Sequence, residues 1–353
     1  MLLQNRPAAG WRQVLQAKRG WPGLARMRIG IIGCGLIGQK RAQAVLASGH
    51  RVTYAADIEL ARAEALLKSA KSDGRAVADW RAVVDGRPDI VVVATTHEHL
   101  AEISLAAADA GCHVLVEKPA GRHAAELAPV IAAAERNKVV VKVGFNHRFH
   151  PAFLKAREIV DAGALGPLFF VRGRYGHGGR IGYEKEWRAK PDISGGGELI
   201  DQGSHLIDLA RWFLGDFAEV QGMLATYFWD MPVDDNCFVA LRTAAGQVAW
   251  LHASWTEWKN LFSFEIYGRH GKLHVEGLGG SYGTERLAFY RMLPQMGPPE
   301  TTSWEFPPPD RSWEAEFAEL VNAIARGREP LGSIRDAKAN LEIIGKLYEG
   351  VGR

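Results

Sequence analysis

The sequence predicts an α/β protein of two domains. Three observations carry that reading. Residues 28–57 run strand, glycine-rich turn, helix, strand, aspartate. The strand–helix alternation then continues to Phe145. From Leu168 the pattern changes to period-2 strands joined by short turns. The first half therefore reads as a parallel sheet with helices on both faces, and the second as a large, mostly antiparallel sheet with helices.

Arg28–Ile32 is a short apolar strand that ends in Gly33-Cys34-Gly35-Leu36-Ile37-Gly38. A helix follows over Gln39–Ala47, closed by Gly49, and a second strand over Arg51–Ala56 ends in Asp57, 19 residues beyond Gly38. In this context G-x-G-x-x-G is a dinucleotide fingerprint. Gly33 permits a tight turn, Gly35 admits a pyrophosphate to the backbone, and Gly38 lets helix pack on strand. The N–H groups of the helix start, at Leu36 and Ile37, supply the anion site. This is a Rossmann domain. Asp57 suits the ribose hydroxyls of NAD and would repel a 2′-phosphate. Arg62 is near enough that NADP stays open as the lesser alternative.

Helices are expected over Ala61–Ser69 and Asp79–Val84, and Ile90–Ala94 reads as a buried parallel strand. Thr95, Thr96, His97 and His99 lie in the loop at its carboxyl end, where open α/β sheets bind ligands. His97 and His99 have no evident third ligand, so no metal is expected, and His99 is expected beside the cofactor. Helix Leu100–Ala110 leads to strand His113–Glu117, then Lys118-Pro119 at the same ligand edge. Lys118 is either a surface lysine or a functional one. Helix Ala124–Asn137 and strand Val139–Phe145 complete the domain over residues 27–145.

Asn146-His147-Arg148 marks the boundary, with Asn146 and Arg148 candidates for substrate contact. Helix Ala152–Ala162 precedes strands Leu168–Arg174, Ala218–Phe228, Cys237–Arg242, Gln247–Trp255, Phe262–Tyr267, Lys272–Glu276 and Arg286–Met292. Trp250 and His252 on one face, with Leu251, Ala253 and Trp255 on the other, predict a sheet covered on both sides. A homodimer or homotetramer formed through it is expected. Helices 313–326 and 334–348 close the second domain, residues 146–353.

Residues 195–208, GGGELIDQGSHLID, carry the second chemical signal. Asp201 and His205 are four apart, so on a helix they share a face, extended by Asp208. Ile200, Gly203, Ile207, Ala210 and Leu214 form the opposite apolar face. Asp201 and His205 are then either a proton-transfer pair or an ordinary solvated face. The preceding loop, Arg172 to Pro191, is basic and aromatic. Tyr175 and His177 within it are candidate substrate contacts. Its arginines suit an anionic group on a sugar, although an ordinary solvated loop reads the same way.

Bulk properties bound the function. Hydrophobic residues are 47% and charged residues 24%, as in globular proteins with a sizeable core. Arg6, Arg12, Lys18, Arg19 and Arg26 stand without an Asp or Glu in residues 1–26. They more than account for the net charge of +3, so the remainder is mildly acidic. That argues against a nucleic-acid partner. Residues 1–26 lack a secretory pattern, and Met27 opens the first strand. They read as a disordered extension or a start-site artefact. No apolar run reaches ~18 residues, so no membrane span is expected. Cys34, Cys112 and Cys237 lack metal spacing and suit a reducing, cytoplasmic setting.

Together, Gly33-x-Gly35-x-x-Gly38, Glu117-Lys118-Pro119, Trp187-Arg188 and Gly195-Gly196-Gly197-x-x-x-Asp201-x-Gly203-x-His205 resemble the glucose-fructose oxidoreductase / inositol dehydrogenase / rhizopine-catabolism (Gfo/Idh/MocA) family, over residues 27 to about 350. The resemblance implies NAD- or NADP-dependent oxidation or reduction of sugars, cyclitols and polyols. It implies that Lys118 meets the nicotinamide and the reacting hydroxyl, often before a cis proline bond. Asp201 would hold the hydroxyl, and His205 would move the proton. Glu117 would lie along the nicotinamide ribose, and Trp187 and Arg188 would border the cofactor. Members often carry a proline near Thr96, where this chain has Thr95-Thr96; both threonines are expected at the cofactor. Two other functions share this fold: a redox-neutral NAD-dependent glycosidase, and a non-catalytic NAD-binding sensor.

Overall fold

The computed structural model describes residues 26–350; the sequence reading of residues 1–25 lies outside them. The first sheet follows from short apolar strands that need cover on both faces. It comprises β1 (Arg28–Ile32), β2 (Arg51–Ala56), β3 (Arg75–Val77), β4 (Ile90–Val93), β5 (His113–Val116) and β6 (Val141–Val143). All pairs are parallel, in the order β3-β2-β1-β4-β5-β6. The strand order reverses between β1 and β4, which opens the ligand crevice at their carboxyl ends. Helices α1 (Leu36–Ala47), α2 (Leu60–Ser69), α3 (Arg81–Asp85), α4 (His97–Asp109) and α5 (Leu127–Asn137) connect the strands. Every side chain of β4 is buried.

Helix α6 (Pro151–Asp161) leads to the second sheet: β7 (Leu168–Gly176), β8 (Phe217–Ala225), β9 (Asn236–Thr243), β10 (Val248–Ser254), β11 (Leu261–Gly268), β12 (Gly271–Glu276), β13 (Glu285–Arg291) and β14 (Glu300–Phe306). Its order is β14-β13-β12-β11-β7-β10-β9-β8, antiparallel except for β7 beside β10. The inner face buries Val171, Leu251, Phe264 and Val275 in one core with Leu206 and Ile207. Those two residues lie on α8 (Ser204–Leu214); a short helix, α7 (Pro191–Ser194), precedes it. The outer face leaves Phe170, Met223 and Trp250 exposed.

Three elements depart from the sequence reading, the first being the short strand β3, which it does not contain. β14 was not expected, because its outward residues are polar and only Trp304 and Phe306 are partly covered. β8 stops at Ala225 rather than Phe228. The N–H groups of Tyr227, Phe228 and Trp229 turn to donate to the Asp235 carboxylate at 2.8–3.1 Å.

The closing helices are α9 (Ser312–Arg326) and α10 (Ile334–Gly350). The sequence reading groups α9 with the second domain. Yet its Phe317, Leu320 and Val321 pack in one core cluster with Ile29, Ile31, Ala42 and Val45 of the first. An ion-pair set fixes the same contact: Arg41 of α1, fully buried with Glu316 of α9, also pairs with the partly buried Glu117. Among the described residues, no helix is long and apolar enough to cross a membrane.

Candidate active site

The glycine turn is built by sterics. Gly33 has φ +89°, and a Cβ there would lie 2.4 Å from Ala94 O. A Cβ on Gly38 would meet Gly33 O at 2.0 Å. At Gly35, by contrast, a Cβ would project into open space at the α1 N-terminus. That open cradle, with the first-turn N–H groups of Leu36 and Ile37 above it, fits a pyrophosphate. Asp57 is fixed beside it: its carboxylate accepts from Cys34 N at 2.8 Å and Glu59 N at 3.0 Å. Arg62 is drawn into an exposed pair with Glu59 at 2.8 Å.

Thr95 and Thr96 form the turn into α4, with Thr96 Oγ1 donating to Glu98 at 3.2 Å. The two histidines here are distributed differently from the sequence expectation. His99 is about half exposed, its side chain beside Glu98 and Glu102 on the outside of α4. His97 is the inward one. Its Nδ1 donates to Ser194 O at 2.7 Å, and its ring meets Trp187 edge-on at 4.8 Å. Burial first, then the nearby Lys118 charge, pushes its pKa down to about 4.

β5 delivers Glu117 and Lys118, and the Lys118–Pro119 bond is cis. Opposite them the Gly195–Gly197 turn leads into a π-helical turn over Leu199–Gly203. Gly197 is needed there, since a Cβ would lie 2.0 Å from Asp234 O. The Asp234 carboxylate caps this start, accepting from Gly197 N at 3.0 Å and Leu199 N at 2.7 Å. Such a cap satisfies N–H groups that the turn leaves without partners.

The expected stripe Asp201, His205, Asp208 is neither solvated nor a single unit. Each member meets a different partner. Asp201 accepts from Lys118 Nζ, which also donates to the Asp201 carbonyl at 2.8 Å, and from Arg188 Nε at 3.1 Å. Against the upward push of burial, Lys118 and Arg188 hold the Asp201 carboxyl well below the usual carboxylate range. His205 stacks on His147, with ring centroids 3.7 Å apart. Asp208 takes a two-pronged bond from Arg148 at 2.6 and 2.8 Å. Burial, reinforced by Lys118 and His150, pushes the His205 pKa well below an ordinary imidazole's.

Several assignments change accordingly. Arg148 is buried and satisfied by Asp208 and Asp336, so it holds the fold together rather than a substrate. Asn146 is also engaged inside the protein: it accepts from His147 Nδ1 at 3.1 Å and donates to Ser312 Oγ at 3.2 Å. Glu117 accepts from Arg41 Nε at 2.6 Å, which ties it to α1. Tyr175 is buried against His147 at 5.3 Å, on the wall of the site. His177 is half-buried beside Tyr183 at 5.8 Å. Arg188 lies over the Trp187 ring at 4.6 Å. Sequence reasoning missed His147 and Glu198. The signal for His147 was its place between two residues already singled out. Glu198, fully buried beside Asp201 and Asp234, carries no sequence signal beyond its place after three glycines.

Comparison with known proteins decides the family. Residues 27–145 match "Oxidoreductase family, NAD-binding Rossmann fold", and residues 153–274 match "GFO/IDH/MocA C-terminal domain". The chain belongs to the GFO/IDH/MocA oxidoreductase family. Levoglucosan dehydrogenase of Pseudarthrobacter phenanthrenivorans is 30% identical over 71% of this chain and 73% of its own. D-glucoside 3-dehydrogenase of Escherichia coli is 29% identical over 65% and 70%. The match to inositol 2-dehydrogenase 2 of Saccharopolyspora erythraea, at 32%, spans 54% of each chain. A solved levoglucosan dehydrogenase, in complex with NADH and levoglucosan, superposes with a TM-score of 0.84. It is 25% identical, and the match covers 93% of this chain and 97% of that one. The α/β architecture, the oxidoreductase class and the NAD-binding Rossmann domain inferred from the sequence are those of this GFO/IDH/MocA protein.

Proposed function

We propose that this GFO/IDH/MocA protein transfers hydride between NAD and a secondary hydroxyl of a neutral sugar or cyclitol. The observation that carries the reading is the convergence of Lys118 and Asp201 beside a neutral His205, at the carboxyl edge of the Rossmann sheet. Bound NAD supplies the hydride acceptor; the protein supplies position and proton chemistry. Gly33, Gly35, Leu36, Ile37 and Gly38 hold the pyrophosphate, and Asp57 the adenosine ribose. Thr95, Thr96, Trp187 and Arg188 border the nicotinamide end.

Lys118 has three N–H donors. Two go to Asp201, which leaves one for the reacting oxygen. That donor favours negative charge developing on the oxygen as its proton leaves. Nδ1 of His205 is sealed in the core, so Nε2 is the nitrogen that meets the hydroxyl. For Nε2 to accept the proton, Nδ1 carries the ring hydrogen. Asp201 stays ionised, fixes the ammonium, and offers oxygen lone pairs to the hydroxyl. An intact proton-transfer set distinguishes this reading from a sensor.

The pairing of the loop's arginines favours a neutral substrate. Arg172 is paired with Glu265, Arg174 with Glu257, Arg180 with Glu186, and Arg188 with Asp201. The exposed Phe170, Met223 and Trp250 on the outer sheet face support a homodimer or homotetramer. Three buried free cysteines support a cytoplasmic location. The test is nicotinamide absorbance with NAD or NADP and a panel of neutral sugars, inositols, uronic acids and nucleotide sugars, with Lys118→Ala as control. A signal with a neutral compound, lost in the variant, supports the proposal. Silence across the panel with NAD still bound points to a redox-neutral glycosidase.

A further inference from the structure

His205 lacks the partner that commonly fixes a proton-transferring imidazole, a carboxylate or carbonyl on its second nitrogen. Its Nδ1 is buried and has no hydrogen-bond partner among the described residues. What meets the ring is a second imidazole. His147 lies face to face with it, centroids 3.7 Å apart and planes 22° from parallel, while Phe145 and Tyr175 come edge-on at 6.4 and 6.3 Å. His147 is itself pinned. Its Nδ1 donates to Asn146, which is anchored on Ser312 of α9. His150, tied to Glu285 at 2.8 Å, lies 5.7 Å away, and Phe262 lies 5.8 Å away on another side. The remaining nitrogen of His147, Nε2, is buried and unpartnered. Among the described residues His147 is thus engaged through its Nδ1 bond to Asn146 and through the faces of its ring.

We propose that His147 is a positioning residue of this enzyme, whose ring face sets the orientation of His205 and seals that face from water. The inference rests on His205 being the proton acceptor. Stacking differs in kind from a carboxylate partner. A carboxylate would favour the charged imidazolium, whereas a neutral ring orients without adding charge. The groups that face His205 are Lys118 after β5, His147, His150 at the start of α6, and Tyr175 on β7. None is anionic. Asp201, in the π-helical turn that runs into α8, is held by Lys118 and Arg188. Burial and these neighbours keep both imidazoles neutral.

The test needs no substrate for its first readout. Histidine Cε1–H resonances are followed against pH in the ligand-free protein, with the His205 signal assigned by its loss in His205→Ala. In the wild type, His205 stays neutral well below the ordinary value of 6.5. In His147→Ala, water reaches the uncovered face and the His205 titration moves upward, toward the ordinary imidazole range, with Lys118 and His150 still opposing the charge. In His147→Phe the stack is kept and the wild-type behaviour returns. Turnover of NAD with levoglucosan or myo-inositol, used as probes, follows the same order. His147→Ala loses about 10²-fold in kcat with the KM for NAD unchanged, and His147→Phe recovers most of it. An unchanged His205 titration in His147→Ala, or a His147→Phe variant no better than His147→Ala, overturns the inference. Wild-type turnover in His205→Ala overturns the proton-acceptor reading beneath it.

Discussion

The Lys118 ammonium is held twice by one residue, donating both to the carboxylate of Asp201 and to its backbone carbonyl at 2.8 Å. The carbonyl belongs to a π-helical turn, so its direction is set by the backbone and not by a mobile side chain. This aims the third N–H of Lys118. Removing that donor in Lys118→Ala is expected to lower kcat/KM by ~10²–10³, the usual cost of losing one donor to a developing oxyanion. The dissociation constant for NADH, followed by its fluorescence, should change little. Matched losses in both quantities would place Lys118 in cofactor binding alone.

His205→Ala tests the proton step. Positioned acid–base help is typically worth ~10²–10⁴ in rate. The variant should lose turnover on that scale at pH 7 while its NADH affinity and melting temperature stay near the wild type. Because the folded-state pKa of His205 is depressed, the wild-type rate should not fall as the pH drops through 6.5. An acid limb centred at 6.5 would contradict a neutral, sheltered imidazole.

Gly35 and Gly38 separate binding from folding within one motif. A side chain at Gly35 enters open space, so Gly35→Val should fold with an unchanged Tm and lose NADH binding by at least tenfold. A Cβ at Gly38 strikes Gly33 O, so Gly38→Ala should lower the Tm as well. Calorimetry with a fluorescence titration distinguishes them. If Gly35→Val binds NADH normally, the pyrophosphate does not sit at the α1 N-terminus.

How much of this was legible beforehand depends on range. The glycine turn, Asp57 and the Lys118–Pro119 edge were readable because local sterics and strand ends set them. The Asp201–His205 tract was found, but its surroundings were not. Four-residue spacing predicted one polar stripe, yet Asp201 reaches Lys118 after β5, while His205 and Asp208 reach the neighbouring His147 and Arg148 of a second distant segment. Spacing along one helix cannot show which distant residue arrives. The surroundings of Arg148 and Asn146 were hidden for the same reason: their partners Asp336 and Ser312 lie more than 160 residues away in sequence. β14 escaped because an edge strand with one solvated face carries a weak apolar pattern.

The last prediction concerns Glu198. Both its carboxyl oxygens are buried without hydrogen-bond partners, one turn before Asp201. Burial, then repulsion from Asp201 and Asp234, pushes its pKa well above the ordinary value of 4.5. The folded protein thus keeps the proton at pH values where the unfolded chain releases it. A raised carboxyl pKa means that the unfolded state binds fewer protons, so this group's contribution weakens as pH rises above about 4.5. Glu198→Gln removes that titration while keeping the shape. It should melt a few degrees higher than the wild type at pH 8 (~2–4 °C for each kcal/mol in a chain of this size) and show no gain at pH 4. The buried histidines act in the opposite sense. His97, His147 and His205 are neutral when folded but protonate in the unfolded chain below about 6.5, so both proteins should lose stability on acidification. A pH-independent difference between Glu198→Gln and the wild type would mean that Glu198 is ionised in the folded enzyme.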